Sequence, residues 1–217
     1  MSFKAAACAL YELRTYSLRL DRMAAFLRET ERLFHLRTQQ SPVLGYWTSE
    51  LGGLHQVVHL WPYESLSHRA SVRAALASDT TWLQEYVGPV LNPAVLGQDN
   101  LLMRPLETTS VTAPTGPGVT ELLQLSLTGP ESEWSPPLLR VAAEVGEATP
   151  DHTLVGCFRS VIGPANSAVL LTHYPSQEAL LKAAEDRRLN TAYVDLLRHV
   201  RTAHSKLLLP HKVSLIQ

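Results

Sequence analysis

Val43-Leu44-Gly45-Tyr46-Trp47-Thr48-Ser49-Glu50-Leu51-Gly52-Gly53-Leu54-His55-Gln56-Val57-Val58-His59-Leu60-Trp61 is the most informative stretch of this 217-residue chain. Two β-prone runs, 43–50 and 54–61, flank Gly52-Gly53, and glycine accepts the positive φ that a tight hairpin demands. Pro62 follows at once and is expected to stop the second strand, because it has no N–H to donate to a ladder. In that strand His55, Val57, His59 and Trp61 share one face by the period of two.

Upstream, residues 10–18 alternate as a strand, with Tyr11, Leu13 and Thr15 on one face and Glu12, Arg14 and Tyr16 on the other. Asp21 stands where it can cap a helix whose stripe is Met23, Phe26, Leu27, Thr30, Phe34 and Arg37. Downstream, Ser65 opens a helical stretch through Ala77. Asp79 caps another that buries Trp82, Leu83, Tyr86 and Val87, and residues 101–106 form a last strand. The order is βαββαβ.

The plan then repeats. Residues 107–119 are rich in Thr, Pro and Gly and read as a linker with little to bury. Beyond it lie a strand at 121–127 and a helix opened by Ser135-Pro136, with Leu138, Val141, Ala142 and Val145 at helical spacing. A hairpin at 154–159 and 168–174 follows. Ser176 opens a helical region continuing through Tyr193, Leu196, Leu197 and Val200, and residues 207–209 and 213–216 are extended. Gly45-Tyr46-Trp47 answers Gly156-Cys157-Phe158, Trp61-Pro62 answers Tyr174-Pro175, and the Trp82 helix answers the Tyr193 helix. The expected fold class is α+β, with ferredoxin-like repeats at 8–106 and 120–217. A four-stranded sheet with helices on one side must bury its other face, and two such units packed sheet to sheet as a dimeric α/β barrel do so. Strand edges left over suggest pairing with another copy, hence a homo-oligomer.

Bulk properties narrow the function. Hydrophobic residues at 45% suit a globular chain, and no run reaches the roughly 18–20 apolar residues of a membrane span. With 19 basic and 20 acidic residues there is no field to attract nucleic acid, and the aromatic RNA-binding pattern of ferredoxin-like sheets is missing. Cys8 and Cys157 sit in different halves, which fits a reducing compartment better than secretion. The first ten residues are too short for a signal peptide and lack the arginines of a mitochondrial presequence. The expectation is either no cleaved address or a chain that begins after one.

Tyr11-Glu12-Leu13-Arg14-Thr15-Tyr16, His35-Leu36-Arg37, residues 43–47 and 50–54, Val57-Val58-His59-Leu60-Trp61, Tyr63 and His68-Arg69 together resemble, in that order, the NIPSNAP family. The likeness covers the first half closely and the second in layout, and is greatest to the family's shorter, later-described branch. It implies tandem dimeric α/β-barrel modules, association with mitochondria, and roles in vesicular transport or mitochondrial quality control through unidentified protein partners. It implies no enzymatic reaction.

The side chains able to support chemistry are Glu12, Arg14, Tyr16, Trp47, His59, Trp61, His68 and Arg69. If the His59 face lines the barrel, His59 is placed as a base beside an aromatic wall, as in cofactor-independent oxygenases on related barrels. That is a fold-level analogy. The alternative is that Trp47 and Trp61 are core and His59 is a satisfied buried histidine. Glu12 and Arg14 form a structural ion pair, with Arg37 or Arg69 near, or orient an anionic ligand. His68 and Arg69, near a helix start, are equally explained by surface solvation. His55 and His59 stand about 13 Å apart along a strand, too far to share an ion. No nucleotide signature is present, and neither metal nor cofactor is expected. Cys157, in an apolar strand, reads as a buried inert thiol. Two functions stay open: a non-catalytic interaction protein, taken first, and a barrel that binds or oxidises a small apolar molecule. The compartment is the mitochondrion by resemblance, or the cytosol.

Overall fold

The computed structural model describes residues 10–106, 109–114, 116–146 and 152–217. Cys8 and part of the linker lie outside these residues. The first half runs β1 (Leu10–Leu18), α1 (Met23–Thr38), β2 (Gly45–Leu51), β3 (Gln56–Tyr63), α2 (Leu66–Ser78), a π-helical segment (Trp82–Leu91) ending in the single turn α3 (Asn92–Ala94), and β4 (Val95–Pro105). The second half runs β5 (Val119–Leu127), α4 (Glu131–Gly146), β6 (Thr153–Ile162), β7 (Ser167–Tyr174), α5 (Gln177–Arg187), α6 (Thr191–Leu197) and β8 (Val200–Pro210).

All strand pairs are antiparallel, and the order β1-β3-β2-β8-β5-β7-β6-β4 closes into an eight-stranded barrel. Each half contributes four neighbouring strands in ferredoxin-like order, β4-β1-β3-β2 and β8-β5-β7-β6. The sheet edges that the sequence left for a second copy pair within the chain instead, β2 with β8 and β4 with β6. Closure of this kind removes most of the exposed edge that invites association.

Alternation sorts each strand between two layers. Tyr11, Leu13, Trp47, Val58, Leu60, Met103, Leu122, Phe158 and Leu171 fill the barrel interior, none more than 2% exposed. The opposite faces pack against helices: Phe26, Phe34, Val72 and Tyr86 cover the first sheet, and Trp134, Leu138, Val141 and Leu196 the second. Side-chain caps start four segments, at Ser65, Ser176 and Asp79 as expected and at Asn190 besides. Ser65 Oγ accepts from His68 N at 3.0 Å, Ser176 Oγ from Ala179 N at 3.1 Å, Asp79 Oδ1 from Trp82 N at 3.0 Å and Asn190 Oδ1 from Tyr193 N at 3.0 Å.

Gly45 and Gly156 each precede by two residues an aromatic that folds back over them inside the barrel. A Cβ on Gly45 would lie 1.8 Å from the Trp47 ring, and one on Gly156 2.5 Å from Phe158. Trp47 is fully buried and has nowhere to retreat. Gly45→Ala is therefore expected to cost about 1–3 kcal/mol of stability by overpacking, read by chemical denaturation.

Several details depart from the sequence reading. Pro62 does not end β3, which pairs Pro62 with Tyr11. The β2–β3 ladder reaches only to Gly45–Leu60, so beyond it the missing N–H faces no strand. Asp21 does not cap α1; it binds Arg19 through two hydrogen bonds, and α1 starts without a side-chain cap. Helix α4 begins at Glu131, upstream of its prolines, because Trp134 is buried and Glu133 N bonds Pro130 O at 3.0 Å. Val200 opens β8 rather than ending a helix, and Leu83 is exposed. The linker has something to bury: Val111 and Ala113 pack on the barrel core, and Thr112 N bonds Val155 O. The segment after β8 does the same from the other half, with Ile216 wholly buried and Ser214 Oγ accepting from Tyr46 N at 3.0 Å. By register Trp61 answers Thr172, and Tyr63 answers Tyr174, a two-residue shift from the sequence pairing.

Candidate functional site

His59 and Trp61 do not line the barrel. They lie on the face of β3 that meets the helices, as Glu12, Arg14 and Tyr16 do on β1, so the barrel-lining reading of that face is corrected. The physical reason is visible in the other row: Tyr11, Leu13, Val58 and Leu60 carry no charge that a closed interior would leave unpaired. Trp47 belongs to that interior and is separate from the His59 group; among the described residues its Nε1 has no partner. His68 stays at the start of α2, where its Nδ1 accepts from Glu64 N at 3.2 Å.

Between this face, α1, α2 and the π-helical segment lies a cavity of about 270 Å³. Phe34, Tyr46, Trp61, Trp82 and Tyr86 supply aromatic walls, and Leu76 and Ala77 help line it from α2. The rings are fixed by mutual contact: Tyr46 stacks on His59 at 5.4 Å and 10°, Tyr16 meets His59 edge-on at 4.7 Å, and Trp82 stacks on Tyr86 at 4.6 Å. The Tyr86 hydroxyl shares a hydrogen bond with Thr30 Oγ1 at 2.7 Å.

The charged lining is one-sided, with Arg14, Arg37 and Arg73 and no carboxylate. Arg37 is 6% exposed. Its guanidinium lies 3.7 Å over the Trp61 ring, donates to Tyr63 Oη at 3.2 Å and reaches Ser41 O at 3.5 Å. Among the described residues it forms no ion pair. Burial lowers its pKa, with the neighbouring Arg14 acting in the same direction, but a guanidinium remains protonated at neutral pH. Arg14 donates to Tyr16 Oη at 3.0 Å and contacts Glu12 at 3.2 Å.

His59 is held neutral. Burial is the main cause, and the positive charges of Arg14 and Arg37 add to it. Trp61 Nε1–H, which can only donate, is bonded to His59 Nδ1. The ring proton therefore sits on Nε2, which has no protein partner among the described residues. In this state His59 offers the cavity a donor, and the lone pair that general-base chemistry requires is already engaged. The histidine also sets a pH dependence. Its folded pKa lies below the ordinary 6.5, so its share of stability is full above pH 6.5 and is lost as pH falls below it. His173 and His211 are shifted in the same direction by burial. Replacing His59 by leucine is expected to flatten the fall between pH 6.5 and 5 by up to about 1.4 kcal/mol per pH unit, measured by denaturation at each pH.

Glu12, 1% exposed, is a clamp between sheet and helix. Arg69 holds it through two hydrogen bonds at 2.9 and 2.8 Å, and Asn100 Nδ2 donates at 2.8 Å. Burial raises its pKa, but these donors and Arg14 outweigh that and leave it lowered. The second repeat has the same device: Glu121 is gripped by Arg187, and Ser205, at the register position of Asn100, donates at 2.8 Å. Its other positions differ. Register sets Leu123, Leu125 and Leu170 where the first repeat has Arg14, Tyr16 and His59, and these leucines are packed in the core. The glutamate clamp is common to both halves, whereas the arginine, tyrosine and histidine belong to the cavity.

Sequence reasoning missed Arg73, placed Phe34 in a helical stripe without assigning it to a site, and set Arg37 in that stripe and near the Glu12–Arg14 pair only. An arginine inside an apolar stripe was the available signal. Groups of His, Cys, Asp or Glu fit to hold a metal are absent among the described residues, and no helix among them is long and apolar enough to cross a membrane. Cys157 is buried and free, and burial pushes its thiol up to about 12.

These features define a single-chain α/β barrel built of two like halves, of which the first opens a cavity lined by arginines without a carboxylate and the second a groove of mixed charge. The NIPSNAP family pattern matches residues 11–110. The chain is 32% identical over 213 residues to Protein NipSnap homolog 3A of Homo sapiens, covering 94% of this chain and 84% of that protein. It is 30% identical over 215 residues to Protein NipSnap homolog 3B of Mus musculus, with the same coverage. This chain belongs to the NIPSNAP family. The crystal structure of a candidate monooxygenase from Lactobacillus acidophilus shares the fold, with a TM-score of 0.66 over 94% of this chain and 95% of that one at 12% identity.

Proposed function

We propose that the first repeat is a binding module for a small planar molecule and that the second repeat is its scaffold. The observation that carries this reading is the internal comparison. The second repeat builds the same sheet and helix layers with leucines at three positions, so Arg14, Tyr16 and His59 are not requirements of the fold. Hydrogen bonds make these polar side chains tolerable among apolar neighbours, but leucine would serve the fold as well, which leaves binding as their role. At about 270 Å³ the cavity lies near the lower end of small-molecule sites, which run from about 300 to 1,000 Å³. The reading is one of binding: with Nδ1 of His59 engaged by Trp61, no proton abstraction is assigned to it.

The test is a ligand-observed NMR screen of planar aromatic compounds against the whole chain and an Ala77→Phe variant, which narrows the cavity from α2. Hits with the unaltered protein that vanish in the variant are expected. A hit rate that Ala77→Phe leaves unchanged would place binding elsewhere and end this reading.

A second reading follows the family resemblance: a non-catalytic partner protein in mitochondrial quality control or vesicular transport. It is favoured by apolar side chains presented to solvent by α5, α6 and the turn between them, Leu181, Leu189, Val194 and Leu197. Proximity labelling in mitochondria by the unaltered protein and by a Leu181→Lys/Leu197→Lys variant separates the two. Unchanged neighbours would remove that surface from the account.

A further inference from the structure

Resting on the binding reading above, we infer that the cavity of the first repeat takes a planar aromatic anion, with its rings among Tyr46, Trp61, Trp82 and Tyr86 and its acidic group at Arg37 and His59 Nε2–H. Three observations converge. The lining carries three guanidinium groups and no carboxylate. Of these, Arg14 is paired with Glu12, a carboxylate it shares with Arg69, whereas Arg37 is a buried charge without a counter-ion among the described residues. Such a charge is costly to bury unless an opposite charge completes its surroundings. A ligand's acid would be that charge, whereas a neutral ligand would leave it unanswered. The donor that His59 presents beside it points the same way: in the neutral ring Nε2 can only donate, so it selects an acceptor.

The remaining arginine extends the argument to the entrance. Arg73, on the exposed side of α2, lines the cavity and forms no ion pair among the described residues. A cation at the entrance and another at the base make a gradient that draws anions inward. The aromatic walls select flat ligands over aliphatic acids, since offset and edge-on ring contacts contribute beyond area alone. Two other sites among the described residues lack this bias. The groove of the second repeat mixes Glu144 and Asp186 with Lys182 and Arg187, and Arg187 is already bound to Glu121. The opening at the barrel end, lined by Gln56, Asp99, His204 and Lys206, also holds both signs, and Lys206 donates to Gln56 at 2.6 Å.

The probes are 2-naphthoate and its neutral isostere 2-naphthamide, titrated calorimetrically against the whole chain. Charge-assisted hydrogen bonds in a buried site predict that the acid binds about 10- to 100-fold more tightly than the amide. Arg37→Met should bring that ratio close to one while the amide's affinity holds. Should Arg37→Met fail to fold, His59→Leu, which installs the residue the second repeat already carries, should reduce the ratio several-fold. Higher salt should weaken the acid and spare the amide. Equal binding of acid and amide would overturn the anionic class and leave the cavity reading standing. Binding of neither would overturn both. A preference for the acid that survives Arg37→Met and His59→Leu would place the anion elsewhere and overturn the assignment.

Discussion

Replacing Glu121 with alanine is expected to destabilise the protein by about 3–5 kcal/mol, because it strips a buried cation of its counter-charge. Arg187 is 11% exposed at its side chain and reaches Glu121 through both terminal nitrogens. Removing the carboxylate also leaves Ser205 Oγ and Tyr174 Oη without their acceptor. Glu12→Ala should cost less, since the Arg69 side chain is 27% exposed and water can take over part of the solvation. The order of the two losses, read from urea denaturation midpoints at fixed pH, tests the view that each glutamate pins its helix to its sheet. Equal and small losses would remove that view.

The opposite outcome is expected where the halves differ. A triple variant Arg14→Leu, Tyr16→Leu and His59→Leu gives the first sheet the side chains that the second carries at the same register. Ligand binding should fall by about 10-fold or more, because the His59 donor and two further lining side chains are lost while Arg37 remains. Stability at pH 7.5 should fall by no more than about 1–3 kcal/mol, the cost of leaving Trp61 Nε1 without its acceptor, and should fall less steeply toward pH 5, since one histidine that resists protonation has gone. The variant also frees Glu12 from Arg14, but Arg69 and Asn100 still satisfy it. Lost binding together with a stability loss as large as that of Glu121→Ala would mean that the three residues hold the fold, and the distinction between clamp and cavity would fail.

Much of this architecture is legible in the side chains because local signals agree with one another. Gly52, with φ of 81°, marks the hairpin, and alternation separates Tyr11 and Leu13 from Glu12 and Arg14. Gly45-Tyr46-Trp47 and Gly156-Cys157-Phe158 reveal the repeat because both halves need a glycine under a folded-back aromatic ring. Which row of a strand faces the barrel and which faces the helices is harder to read. A period of two gives the rows and not their destinations. His59 and Trp61 are as easily imagined inside the barrel as outside it until α1 and the π-helical segment are seen to cover them. The cavity itself was illegible because it is assembled from β1, β3, α1, α2 and the π-helical segment. Arg37 and Tyr86 meet His59 only in space. Aligning the halves by strand register, rather than by their aromatic anchors, would have exposed it, since Leu123, Leu125 and Leu170 then stand out against Arg14, Tyr16 and His59.

The first repeat, and not the barrel or the second repeat, is expected to hold the ligand. A crystal structure of the whole chain soaked in 2-naphthoate tests it most directly. The expected result is a planar density among Trp61, Trp82 and Tyr86, with its carboxylate in hydrogen-bond reach of Arg37 and of His59 Nε2. Density instead in the groove beside Tyr174 and Tyr193, or at the barrel end beside Lys206, with the first repeat unchanged, would contradict the account.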